Sequence, residues 1–395
     1  MAYRPRSNGG SSAGITSRAG IVLAAVLLLV LVVAGCGSSK KKTKSRSSSK
    51  APYAKAGPHA VGFTTLELAG GRKVFVWYPA AKDHIAGHAQ EEVDIASLLS
   101  PALQAKIPPE DHVKYPANAY ADAPAATGKG AYPLVLFSHG YAGFPEQSVS
   151  LTSHLASWGY VVAAPDHVER SLDGLLGTAG AGVPKSTDPQ VLSATIDLLE
   201  NTSKQPGILQ GLVDPVRIAV TGHSAGASAA YQTASADPRV KGFISYAVGF
   251  GGSNNAAPPA APIKPGMVMT GTADGVIPPS ADEQVYAGMH PPKYFVKIAG
   301  AGHLVFSDIC LIGRANGGIV GIAKALNLPI PADLLKLGSD GCGPNYPPPE
   351  KAFPAINQLS VAFLRFVFGQ DRSPVGLDTA AVGGLGAQVT VQHQG

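Results

Sequence analysis

The sequence predicts an α/β fold: a mostly parallel central sheet with helices on both faces. Three observations predict it. Short apolar runs such as Pro133–Ser138 (PLVLFS), Tyr160–Ala164 (YVVAA) and Met267–Thr270 (MVMT) read as strands buried on both faces. Segments with helical spacing stand between such runs, among them Ser148–Trp158 and Gln190–Asn201. Strand and helix alternate along the chain, as a parallel sheet wound with helices requires.

In chain order, an export signal comes first. Residues 1–18 are polar and basic, Ile21–Val33 is unbroken apolar sequence, and small residues lead to Cys36. This is the pattern of a secretory signal peptide over residues 1–35. The apolar run is shorter than the ~20 residues of a spanning helix. The ending V-A-G-C resembles a bacterial lipobox, which implies cleavage before Cys36 and acylation of its thiol. Residues 36–56 are Ser- and Lys-rich and read as a flexible tether with affinity for anionic headgroups. The expected location is the outer face of a cell membrane, through a lipid anchor, or outside the cell.

The body starts at residue 57. Arg72–Tyr78 alternates as a strand. Residues 80–131, rich in Ala and Pro, read as a loop-like insertion in which Ile95, Leu98, Leu99 and Leu103 suit a short helix. The strand Pro133–Ser138, the helix Ser148–Trp158 with Gly159 ending it, and the strand Tyr160–Ala164 follow. Then come the helix Gln190–Asn201, the strand Arg217–Val220 and the small-residue helix Ala225–Ala234. Val240–Ala247, Met267–Thr270 and Tyr294–Ile298 are strands, and Gln358–Phe368 is a closing helix. The tail 371–395 is small and polar and is expected to be poorly ordered.

Composition narrows the function. With 45% hydrophobic and 14% charged residues, the 395-residue chain is not a disordered one. Its net charge of +5 belongs to the leader, because the first 50 residues hold nine basic residues and no acidic one. The remainder carries 22 basic and 26 acidic residues, so nucleic-acid binding lacks electrostatic support. Beyond Cys36 the cysteines are Cys310 and Cys342, which an oxidising compartment would pair. No Cys/His spacing points to zinc, and neither metal nor cofactor is expected.

Four segments carry chemistry. Gly222-His223-Ser224-Ala225-Gly226 is a G-x-S-x-G motif between the strand RIAV and a helix, the context of a nucleophile elbow. Ser224 is the candidate nucleophile, at a helix N-terminus that favours a developing oxyanion. Asp274 follows the strand MVMT and is the candidate acid, with Asp282 and Asp308 as rivals. His303, in Gly300-Ala301-Gly302-His303 after the strand YFVKI, is the candidate base. Ser224, Asp274 and His303 have the chain order of α/β-hydrolases, at intervals of 50 and 29 residues that each hold a strand–helix unit. Ser138-His139-Gly140-Tyr141-Ala142-Gly143 follows a buried strand, so the backbone N–H groups of Tyr141 and Ala225 are the candidate oxyanion donors. His139 reads as structural, and His223, beside the nucleophile, as badly placed for a base.

VFVWYP, YPLVLFSHGYAGF, HLASWGYVVAAPDHVERS and GHSAG together resemble the platelet-activating-factor acetylhydrolase branch of the α/β-hydrolases. The same segments are similar to bacterial cutinase-like polyester hydrolases, and the resemblance runs from about residue 62 to about 370. It implies an α/β-hydrolase fold and a serine ester hydrolase with the triad Ser224, Asp274, His303 and oxyanion donors at Tyr141 and Ala225. In the polyester hydrolases an aromatic residue at the Tyr141 position lines the cleft. The substrate would be a small-molecule, lipid or polymer ester, and the protein a monomer. A catalytically silent exported binding protein on this scaffold is the non-enzymatic alternative. Two insertions depart from the compact polyester hydrolases. The one at 80–131 is similar to the acetylhydrolases, and the one at 307–351 reads as a lid or pocket wall.

Overall fold

The computed structural model describes residues 51–395 except 129, 178–179, 181, 251–256, 326 and 329. The signal peptide, Cys36 and most of the tether lie outside the described residues. The strands are β1 (Ala60–Leu68), β2 (Arg72–Ala80), β3 (Gln90–Asp94), β4 (Lys114–Ala121), β5 (Tyr132–Ser138) and β6 (Val161–Pro165). They continue as β7 (Val213–His223), β8 (Val240–Tyr246), β9 (Gly266–Gly271), β10 (Lys293–Ile298) and β11 (Val389–Gln394). All lie in one sheet in the order β11-β10-β9-β8-β7-β5-β6-β2-β1-β4-β3. From β10 to β6 every neighbouring pair is parallel, and β2 joins β6 antiparallel. The mostly parallel sheet is as expected.

Alternation explains the buried apolar runs. In β5, Val135 and Phe137 enter one core while Leu134 and Leu136 enter the other. A strand covered on both faces has no polar side, so its sequence is continuously apolar. The helices Val149–Ser157 and Phe353–Val367 cover the first face, through Leu151, Leu155, Leu359 and Phe363. The helices Asp188–Ser203, Ala225–Ala236 and Pro279–Gly288 cover the second, through Ile196, Leu199, Ala230 and Val285.

Three expectations need correction. The 80–131 insertion is not only loop: after a short turn at Ile95–Leu98 and a helix at Pro101–Gln104, β4 returns antiparallel to β3 and extends the sheet beyond β1. Its strands are mixed in polarity, with Glu91, Glu92 and Asn118 among them, and so lack an apolar signature. The tail 371–395 is ordered. Its helix Thr379–Val382 buries Val382, and β11 pairs with β10 along six residues from Lys293↔Gln394 to Ile298↔Val389. Nor does the fold wait for residue 57. Tyr53 is buried, its N–H donates to Gln358 Oε1 at 2.7 Å, and its ring meets Trp158 edge-on.

Candidate active site

Each candidate residue stands just beyond the C-terminal end of a parallel strand, where an open α/β sheet places its ligands. Ser224 follows β7 and takes φ 59° and ψ −121°, a conformation strained for a residue with a side chain. The flanking glycines make that turn possible. A Cβ on Gly222 would strike the carbonyl of Gly226, and one on Gly226 the carbonyls of Ser138 and His139. Ser224 N–H donates to Tyr246 O at 2.9 Å, which pins the elbow to β8.

Asp274 lies past β9 and His303 past β10. His303 Nδ1 is 2.8 Å from Asp274 Oδ2, and both side chains are buried. Asp274 Oδ1 accepts the N–H groups of Val276 and Ile277, each at 2.8 Å. The carboxylate is therefore fixed on both oxygens, and as an acceptor it places a proton on His303 Nδ1. Nε2 is buried and has no hydrogen-bond partner among the described residues. His303 and Ser224 line one cavity.

The rival acids are elsewhere. Asp282 Oδ1 accepts the Val248 N–H at 2.7 Å, and burial pushes its carboxyl pKa well above the ordinary range. Asp308 accepts from Tyr115 Oη at 2.8 Å and from the Ser150 N–H at 2.9 Å. Neither hydrogen-bonds to His303.

His223 is not the base but a brace. Its Nε2 lies 3.0 Å from the His303 carbonyl, which can only accept, so that nitrogen carries the proton. Its Nδ1 then accepts from Gln147 Nε2 at 3.0 Å, while Gln147 Oε1 accepts the Gly140 N–H at 3.0 Å. Burial, helped by nearby His303, holds the His223 pKa well below the usual value, so the ring is neutral and the relay keeps one direction. One chain of bonds thus runs from the loop after β5 to the backbone of His303.

The loop after β5 carries Tyr141, whose N–H has no acceptor among the described residues. Ala142, at φ 54°, is anchored by its N–H to Arg170 O at 2.8 Å. Ala225 opens a helix, where first-turn N–H groups lack intrahelical acceptors. The Arg170 guanidinium holds the loop from beneath. It donates to the carbonyls of His139 and Gly140, and to Ser138 Oγ at 2.9 Å. Ser138 Oγ also lies 2.9 Å from His167 Nε2, and His167 Nδ1 is 2.8 Å from Asp188 Oδ1, though off the hydrogen-bonding direction. This second Ser–His–Asp line is a support: Ser138 and His167 are fully buried, and burial with the Arg170 charge lowers the His167 pKa to about 3. His139 is structural as expected, its Nε2 accepting the His167 N–H at 3.0 Å.

The insertion at 307–351 reaches the site. It carries the helices Gly318–Ala325 and Ala332–Leu337, and the Cys310–Cys342 disulfide joins its two ends as expected. Asp340, beside Cys342, is the residue that sequence reasoning missed. Its Oδ1 accepts the His303 N–H at 2.6 Å and its Oδ2 accepts the Gly275 N–H at 3.2 Å. One carboxylate thus bridges the loops that carry His303 and Asp274. Gly302 permits the approach, since a Cβ there would lie 2.6 Å from Gly341 Cα. An Asp among small residues beside a pairing cysteine was the available signal. Gln147 belongs to no motif, and Arg170, though inside the segment HLASWGYVVAAPDHVERS, has no spacing to the loop after β5 that marks its role.

Two family models match. That of platelet-activating factor acetylhydrolase, isoform II, matches residues 45–174, and that of the dienelactone hydrolase family matches residues 118–306. A search of curated proteins finds no significant match. Among solved structures, a ferulic acid esterase from Streptomyces cinnamoneus superposes with a TM-score of 0.56 at 23% identity, over 84% of this chain and 96% of that one. The sheet, the strand-end loops and the two overlapping family matches make this chain a member of the α/β-hydrolase superfamily.

Proposed function

We propose that the chain is a serine ester hydrolase. The observation that carries this reading is the His303 ring, hydrogen-bonded to Asp274 through Nδ1 and unpartnered at Nε2, in a residue that lines the same cavity as Ser224. In the proposed mechanism Nε2 takes the Ser224 proton as Oγ attacks the ester carbonyl. The N–H groups of Tyr141 and Ala225 stabilise the oxyanion, and the alcohol leaves with the proton from His303. Water, deprotonated by the same Nε2, then releases the acid and restores Ser224. Asp274 orients the ring and stabilises its cation. Helices of the 307–351 insertion roof the cavity, which favours small or lipid esters over a polymer chain.

The test is hydrolysis of p-nitrophenyl butyrate by the full chain. Ser224→Ala is expected to lower kcat by about 10⁴-fold or more. Undiminished activity in that variant would refute the proposal.

We also propose, from the sequence alone, that the enzyme is exported and anchored through acylated Cys36. Cys36→Ser is expected to release it from membranes into the soluble fraction; full retention would favour an uncleaved helix.

A further inference from the structure

The helix Gly318–Ala325 (GIVGIAKA) is almost wholly apolar, yet only Ala323 is buried. Ile319, Val320 and Ile322 are half-buried and line cavities, Ile319 while also packing against the core. The outer cavity, of about 90 Å³, holds Ser224 and His303. An inner one, of about 50 Å³, lies between this helix and the 80–131 insertion. The two share Leu172, Ile319, Ala323 and Ile330, so they are neighbours with a common wall. Every side chain around the inner cavity is aliphatic, with Ala96, Leu99 and Ile107 at its far side.

We propose that the inner cavity is the binding site for the aliphatic acyl chain of the ester, a proposal that rests on the hydrolase reading above. A sugar or a charged headgroup would meet no polar partner there, and an aryl group no ring to stack on. Position selects the acyl side over the alcohol side. The alcohol must leave past His303, which protonates it. The inner cavity borders the outer one at Leu172, whose N–H donates to Gly143 O in the loop after β5 at 2.9 Å. Size limits the chain. The two cavities, of about 90 and 50 Å³, are small, so the site takes a chain of medium length, which we set at about eight carbons.

The experiment compares kcat/KM of the full chain on p-nitrophenyl esters from acetyl to palmitoyl. Each methylene up to about eight carbons should raise kcat/KM roughly two- to fourfold, with a fall beyond about twelve. Ala96→Phe, which fills the inner cavity, should lower the octanoyl-to-acetyl ratio at least tenfold. Ile322→Ala, which enlarges it, should move the optimum to longer chains. A wild-type enzyme fastest on acetyl, or three superimposed profiles, would overturn the proposal. If no ester is hydrolysed in a Ser224-dependent way, the hydrolase reading fails by itself, and calorimetry then decides on the site. Octanoate titrated into Ser224→Ala protein should bind at least tenfold more weakly once Ala96→Phe is added; no binding, or binding indifferent to Ala96→Phe, refutes an aliphatic site.

Discussion

His303 is held from three directions by Asp274, His223 and Asp340. Asp274 fixes its ring, His223 its carbonyl and Asp340 its N–H. Asp340 matters most, because the same carboxylate also holds Gly275 next to the acid. Asp340→Ala frees both loops at once, and a displacement of about 1 Å at a reacting group costs on the order of 10²-fold in rate. We expect kcat on a butyryl ester to fall by about 10- to 100-fold with KM little changed, and Asp340→Asn, which keeps one acceptor oxygen, to recover part of it. Equal losses in kcat and in folding stability for both variants would reduce Asp340 to a structural role. The strain at Ser224 belongs to the same scale. Gly222→Ala and Gly226→Ala would close the elbow by collision, whatever the chemistry of the hydroxyl.

Elements were legible in the sequence where burial is complete. β5 to β10, and their helices apart from Pro279–Gly288, announce themselves because both faces of the strands are covered and polar residues are excluded. The proposed triad residues follow those strands directly, so Ser224, Asp274 and His303 could be picked from position and order. β3, β4 and β11 lie at or near the sheet edges, where solvent permits Glu, Gln and His and the apolar pattern dissolves. Asp340 and Gln147 were hidden for another reason: their partners are 37 and 76 residues away, and no local spacing encodes such a bond. The edge strand β11 also carries a prediction. A chain ending at Arg372 loses Leu377, Val382 and Val389 from the core and uncovers the edge of β10. We expect a loss on the order of 5 kcal/mol from the apolar burial and aggregation through the bare edge, read by urea unfolding and light scattering.

Across the whole molecule, Asp308 ties three distant parts together: Tyr115 on β4, Ser150 in the first helix over the sheet, and the segment after the base. Burial raises its pKa from the ordinary 3.8 to about 6. The folded state thus holds this proton more tightly than the unfolded state. The resulting stabilisation is complete below pH ~3.8 and is lost as pH rises through about 6. Relative to Asp308→Asn, the wild type should lose on the order of 3 kcal/mol between pH 4 and 7, measured as the pH dependence of the difference in urea midpoints. A difference that does not vary with pH would contradict this. The Asp340 bridge has a further consequence for anyone redesigning the enzyme. Trimming residues 307–351 is the obvious way to open the cleft to bulky polymers, yet the same cut deletes the carboxylate that steadies the base. Access and catalytic competence are therefore not separable modules here, and a variant library that shortens this loop must first graft a substitute acceptor opposite the His303 N–H.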